Sequence, residues 1–294
     1  MEKPVKDIRL IAIDIDGTLL TPDGQITPRT RTAIEAAQRA GIIVTLATAR
    51  RYFSTGAIAT ELGLELPLIV YDGALIVNHP ARTVLYSRAL AAGVAQQVVD
   101  VFRQFAVQPV VQPCDCMQEE VWTGPAEYDH LELATYITLA KGRLRRLPYA
   151  QLCAGQADPL RVVAFASEEC IQRLLPAVSA LACSLHSISL GSYGCAELAV
   201  MHPACSKASG VAALASYYNI PLEQVMAIGD NTNDREMLRS AGWSVAMGQA
   251  SEEVKAAAKA VTGTNLEDGV AQAIERYALL QDFQPVRSRS DSSV

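Results

Sequence analysis

Arg9-Leu-Ile-Ala-Ile-Asp14-Ile-Asp16-Gly17-Thr18 is the stretch that decides the fold class of this chain. Leu10 to Ile13 is wholly apolar, and two aspartates then break the run. A near-continuous apolar strand is what a parallel sheet covered on both faces requires. Open parallel sheets hold their ligands at the edge where such strands end, and Asp14 and Asp16 stand there. Gly17 permits a sharp turn and close approach of an anion. An Asp-Gly turn after any strand would produce the same letters, so this motif needs company.

Outward from it the same rhythm continues. Thr27-Pro28 reads as an N-cap followed by proline at the first helical position. Ala33, Ile34, Ala37 and Ala40 recur at helical spacing before Gly41 ends the helix. Residues 42–47 read as a second buried strand, 52–62 as a helix and 68–71 as a third strand. Near the end come a helix at 208–218, a strand at 225–228, a helix at 234–241, a strand at 243–246, and helices at 252–258 and 269–279. Strands and helices alternating over short connections predict an α/β fold, a doubly wound, Rossmann-like parallel sheet with helices on both faces.

Between these halves the texture changes. Strands are expected at 83–86, 107–111, 161–166, 185–190 and 196–200, helices at 94–105 and 168–181, and a mostly helical stretch at 124–159. Three parts follow: a core from 1–81 and 201–283, an inserted α+β module at 82–200, and a polar tail at 284–294 expected to be disordered.

A chain of 294 residues suits two such domains. Its net charge of −6 excludes general nucleic-acid binding, so an anionic ligand must be met by local cations or a metal ion. Lys3, Lys6 and Arg9 precede the first apolar run, but the two aspartates spoil it as a signal peptide. No stretch of about 18 uncharged apolar residues follows, so no membrane span is expected. Seven cysteines form an odd count without a regular framework, which points to free thiols, a reducing compartment and a cytoplasmic protein.

The second informative stretch is Gly229-Asp230-Asn231-Thr232-Asn233-Asp234, again directly after an apolar strand. Such a cluster supplies the hard oxygen ligands that magnesium takes, and it doubles as a capped helix start. Two weaker signals fall at matching places. Thr48 follows the second strand, where its hydroxyl can meet a phosphate oxygen, and Lys207 opens a helix after Ser206, where amides and a cation can meet a phosphate. Taken alone, each has a plain role as a cap or a solvated lysine.

Together these residues resemble the haloacid dehalogenase superfamily, in its Cof-like branch of phosphatases with a large α/β (C2-type) cap. Asp14-x-Asp16-Gly-Thr, Thr48, Lys207 and Gly-Asp230-x-x-Asn233-Asp234 stand in the family's order, with the insertion between the second and third motifs. The resemblance spans the chain except its tail. Three positions depart from it: Ala49 and Ala208 where the family often has glycine, and Asp72 where it often has asparagine beside Gly73.

The resemblance implies a magnesium-dependent phosphatase acting on a small phosphorylated metabolite through an aspartyl phosphate. Asp14 would be the nucleophile and Asp16 the general acid and base. Asp14, the carbonyl of Asp16 and Asp230 would hold Mg2+, while Thr48, Lys207 and Asn233 would bind phosphate. Asp234 would orient Lys207, and Arg50, Asp72 and Gly73 are candidate substrate contacts. The inserted module would be the cap that selects substrate, in a monomer or homodimer. A phosphomutase of the same superfamily and a non-catalytic phospho-ligand-binding module are the alternatives. A zinc site from Cys114, Cys116, Cys183 and His186 lacks strong spacing, and His79, His130 and His202 lack metal-like partners. Trp122 and Trp243 read as packing residues.

Overall fold

The computed structural model describes residues 7–114, 120–139, 142–189 and 193–279. Along the chain come β1 (Leu10–Ile13), α1 (Pro28–Arg39), β2 (Ile43–Leu46), α2 (Tyr52–Glu61), β3 (Pro67–Val70), β4 (Leu75–Asn78) and β5 (Val84–Ser87). Then follow α3 (Ala92–Gln104), β6 (Pro109–Gln112), β7 (Val121–Thr123), α4 (Leu131–Leu139), β8 (Leu144–Arg146), β9 (Arg161–Ala166), α5 (Glu168–Ser179), β10 (Ser184–Ile188) and β11 (Ala196–Met201). The chain continues through α6 (Lys207–Tyr217), β12 (Val225–Gly229), α7 (Arg235–Ser240), β13 (Trp243–Ala246), α8 (Glu252–Lys255), β14 (Ala260–Val261) and α9 (Gly269–Ala273).

Five strands form an all-parallel sheet in the order β14-β13-β12-β1-β2. A bridge between Ala47 and Ile69 joins β3 to its edge. Alternate residues of these strands face opposite sides. Ile11, Ile13, Val44, Leu46, Met226 and Ile228 pack with α1, α2 and α9. Leu10, Ala12, Val225, Ala227 and Ala246 pack with α6, α7 and α8. Both faces are dry, as the apolar runs require. The start of α1 is as the sequence expects: Thr27 Oγ1 accepts from the Thr30 N–H at 3.2 Å, with Pro28 at the first helical position.

The inserted region builds a six-stranded sheet in the order β10-β11-β9-β6-β7-β8. One face is buried under α3 and α5, and α4 covers part of the other. The strand expected at 83–86 is β5, and it pairs with β4 rather than with this sheet. The stretch 124–159 departs from its mostly helical expectation. It holds α4, two single turns at Ala126–Tyr128 and Tyr149–Gln151, and the strand β8. β7 and β8 pair parallel at the sheet edge, and three-residue strands carry too little alternation to be read. β4, which follows the turn after β3 with almost no spacer, also escaped the pattern. The expected tail and Leu190 lie outside the described residues, and α8 stops three residues before the expected end.

Helix α6 is pressed onto the 71–73 turn. A Cβ on Gly210 would stand 2.5 Å from Ile69 Cγ2 and 2.9 Å from the Gly73 Cα. Gly210→Ala should therefore destabilise the protein. Overpacking costs about 1–3 kcal/mol, and the better helix propensity of alanine returns only about 1 kcal/mol. Urea unfolding would read the difference, and a Gly210→Ala protein as stable as the parent would refute this packing.

Candidate active site

Segments far apart in sequence end at one edge of the parallel sheet. β1 delivers Asp14, β2 leads to Thr48, β12 delivers Asp230, and Ser206 caps α6, whose first residue is Lys207. Lys207 Nζ donates to Asp14 Oδ1 at 2.6 Å and to Asp234 Oδ1 at 2.7 Å. All three residues are buried, Lys207 at 2% exposure. Burial works against the ammonium, but Asp14, Asp234 and Asp72 outweigh it and raise its pKa, so it stays charged.

The other oxygen of Asp234 accepts from the backbone N–H groups of Asp230 and Asn231, each at 3.0 Å. Lys207 and the 229–234 loop thus take most of its acceptor sites. Thr18 Oγ1 donates to Asp230 Oδ1 at 2.7 Å. Gly17 lies at φ +82°, and a Cβ there would overlap the Asp230 carboxylate. The glycine is what lets the first motif lie against the fourth.

Asp14, Asp230 and Asp234 bring oxygens within 4.8 Å of one another. Burial, and then the charge of Asp234, pushes the Asp14 carboxyl well above the usual range against the pull of Lys207. Burial likewise pushes Asp230 up to about 6, against the Thr18 hydrogen bond. One ammonium facing three carboxylates leaves the cluster short of positive charge. Hard oxygens with excess buried negative charge fit a hard divalent cation. With Asp234 committed, the carboxylates of Asp14 and Asp230 are the donors left for it.

Asp16 turns outward, its side chain 52% exposed, and Arg50 grips both of its oxygens at 2.8 and 2.5 Å. Arg50, a candidate substrate contact by sequence, is thus the partner of Asp16. Thr48 is buried, its Oγ1 accepting from the Arg50 N–H at 3.1 Å and its carbonyl from the Asp72 N–H at 3.0 Å. Asn233 Nδ2 donates to Asp72 Oδ1 at 3.0 Å. Gly73, at φ +86°, lies so close to the Ser206 carbonyl that a Cβ would overlap it. It seats α6 and thereby Lys207.

Arg161 escapes sequence reasoning at this site, and His186 enters it only as a weak zinc candidate. His186 Nδ1 lies 3.0 Å from Asp72 Oδ2, and Arg161 Nη1 lies 3.7 Å from the same oxygen. His186 is 114 residues from Asp72, so no local spacing announces the pair. Arg161 left one trace, a cation opening the otherwise apolar strand Arg161-Val-Val-Ala-Phe-Ala. The zinc grouping does not form among the described residues: His186 faces Asp72, and Cys183 Sγ donates to the Val178 carbonyl. Cys116 lies outside them. His79 is held between the hydroxyls of Tyr52 and Thr60. Trp122 and Trp243 pack in hydrophobic clusters.

A family model described as haloacid dehalogenase-like hydrolase matches residues 11–274. The chain is 30% identical over 276 residues to 5-amino-6-(5-phospho-D-ribitylamino)uracil phosphatase YitU of Bacillus subtilis, spanning 91% of this chain and 97% of that protein. It is 27% identical over 274 residues to pyridoxal phosphate phosphatase YbhA of Escherichia coli, spanning 92% and 99%. A solved sugar phosphatase of haloacid dehalogenase subclass IIB aligns with a TM-score of 0.75 at 25% identity, spanning 92% of this chain and 99% of that one. With the family match running from β1 through the start of the last helical segment, this chain belongs to the haloacid dehalogenase-like hydrolases.

Proposed function

We propose that the chain is a magnesium-dependent phosphatase that hydrolyses a small phosphorylated metabolite through an aspartyl phosphate on Asp14. The observation that carries it is the buried Asp14–Lys207–Asp234 bridge beside Asp230, at the strand edge where such sheets take their ligands. The names of the two relatives support the substrate class, since each is a phosphatase named for a small phosphorylated compound.

A phosphate ester resists attack because it is anionic, so the site must neutralise charge and align the nucleophile. Asp14 attacks phosphorus in line as the ester P–O bond breaks. The Lys207 ammonium, the Thr48 hydroxyl and the Asn233 amide bind the nonbridging oxygens. Asp16 protonates the departing oxygen, then takes a proton from the water that hydrolyses the acyl phosphate. The Arg50 grip on both oxygens of Asp16 must open before Asp16 carries the proton it gives to the departing oxygen. The Asp14 and Asp230 carboxylates and the Asp16 carbonyl would hold magnesium, which would supply the positive charge that lets two anions approach.

The same reading assigns 1–81 and 201–283 to the hydrolase core and 82–200 to a cap, but β5 pairs with β4 and stays with the core, which moves the first hinge from Arg82 to near Arg88 and leaves the second near Pro203. Core groups grip what all phosphate monoesters share, so the cap sets selectivity. Among the described residues no helix is long and apolar enough to cross a membrane, and a cytoplasmic setting belongs to this proposal.

Asp14→Asn should lower turnover about 10³-fold or more, and it should abolish trapping of a phospho-enzyme on acid quench. Near-parental turnover in that variant would end the nucleophile assignment.

A second prediction concerns the metal and pH. The folded pKa of Asp230, about 6, lies above its ordinary 3.8. Between those values the folded protein holds a proton that the unfolded chain has released. This group's contribution to stability is therefore complete below about pH 4 and is lost as pH rises through about 6. In chelator, Asp230→Asn should be more stable than the parent at about pH 8, and the advantage should vanish near pH 4. Saturating magnesium should reverse the order at about pH 8, because it binds the native carboxylate. Urea titrations at both pH values would test this, and an advantage independent of pH and magnesium would contradict it.

A further inference from the structure

Tyr71, Asp72 and Gly73 have φ of +52°, +51° and +86° in succession. The turn is held from outside. The Tyr71 N–H donates to the Arg50 carbonyl, the Asp72 N–H donates to the Thr48 carbonyl, and Gly73 is wedged against Ser206. So fixed, the buried Asp72 carboxylate spans two parts of the molecule. One oxygen accepts from Asn233 on the core, and the other faces His186 and Arg161 of the six-stranded sheet. Arg161 is itself anchored, its Nε donating to Gln112 Oε1 at 2.6 Å and its guanidinium lying 4.9 Å from the centre of the Tyr71 ring.

The Asp72 carboxylate is ringed by the nitrogens of Asn233 Nδ2, His186 Nδ1 and Arg161 Nη1, at 3.0, 3.0 and 3.7 Å. Asp72 has no proton to give, so the ring nitrogen that faces it, His186 Nδ1, carries the hydrogen. In the neutral ring Nε2 is then a bare acceptor. His186 is 9% exposed, and its Nε2 is buried without a hydrogen-bond partner. Native proteins rarely leave such an atom unpaired, so this one is open to a partner from outside the chain. The charges around it are net negative. Arg161 is positive, Asp72 and the half-buried Glu197 are negative, and the Glu197 carboxyl feels Arg161, His186, Asp16 and Asp72. The contacts of His186 and Arg161 with Asp72 and Tyr71 put this face of the sheet against the 71–73 turn.

We propose that His186, oriented by Asp72, is a specificity-determining residue whose Nε2 accepts a hydrogen bond from a hydroxyl or N–H of the ester's leaving group. The assignment rests on the phosphatase reading and narrows it. The favoured substrates carry an uncharged leaving group with hydrogen-bond donors, as in a polyol or sugar phosphate. A second phosphate or a carboxylate is disfavoured, because Asp72 and Glu197 would face it. A site built around a polar partner rejects analogues that lack it far more strongly than a purely apolar pocket rejects a size change.

His186→Asn tests this directly, since the asparagine amide still donates to Asp72 while nothing replaces Nε2. With ribitol 5-phosphate, whose leaving group carries hydroxyls, kcat/KM should fall about 10- to 100-fold. With phenyl phosphate, whose leaving group has no donor, it should stay within about threefold. Equal losses on both esters, or no loss on either, would overturn the proposal and leave His186 as a structural tie. A second readout does not depend on turnover. In ¹⁵N-histidine-labelled Asp14→Asn protein with magnesium, the His186 Nε2 resonance should move on adding ribitol 5-phosphate and not on adding phenyl phosphate. An unmoved resonance would overturn the proposal. If the unsubstituted protein hydrolyses neither ester, the phosphatase reading falls, and this resonance still decides the contact.

Discussion

Lys207 Nζ lies between Asp14 and Asp234 in a site closed to solvent, and the rest of the active edge is arranged around that ammonium. Removing one partner of a buried ion pair costs about 3–5 kcal/mol, because an uncompensated charge stays behind. The requirement is therefore geometric. β1, the loop after β12 and the first turn of α6 must meet within hydrogen-bonding reach, although Asp14 and Lys207 are 193 residues apart. Glycines make the meeting space: Gly17 against Asp230, Gly73 against Ser206 and Gly210 against Ile69. The bridge also leaves a surplus of carboxylate, a charge balance that fits a hard divalent cation.

The backbone of 71–73 shows a second constraint feeding on the first. Left-handed conformation at two successive non-glycine residues costs on the order of 1–3 kcal/mol each. It persists because surrounding structure over-determines it: two backbone hydrogen bonds to the 48–50 segment on one side and the close approach of α6 on the other. The outcome is a carboxylate pointed away from the core and toward the six-stranded sheet. Asparagine, with its tolerance for this conformation, would sit there as easily. The aspartate brings a charge, and Arg161 and His186 answer it.

The six-stranded sheet separates two jobs by the alternation of its strands. Val111, Val162, Ala164, Leu198 and Val200 point to α3 and α5 and form a dry core. The opposite face begins the same way, with Val110, Val163, Phe165 and Ala199 beneath α4, and Tyr136 stacked on Phe165 at 4.2 Å. Gln112, Arg161, Glu197 and His186 share that face by register. An apolar patch thus anchors a polar one, and the polar one meets Asp72.

What the sequence by itself determined is the set of short-range facts. The apolar runs ending at Asp14 and Asp230 announced buried parallel strands, because a strand covered on both faces cannot alternate. Thr27-Pro28 announced the start of α1, and the order of the four motifs pointed to the family and to an inserted α+β region. The tertiary structure alone decided the pairings. Arg50 closes on Asp16 across 34 residues, Asp72 meets His186 across 114, and Asp234 spends its oxygens on Lys207 and two amides. It also decided the strands β7 and β8 at one end of the six-stranded sheet, where Arg145 and Arg146 hide a three-residue strand. The division has one physical cause. Periodicity and capping are written within a few residues, while a charge takes its partner from whichever segment the fold brings within about 3 Å.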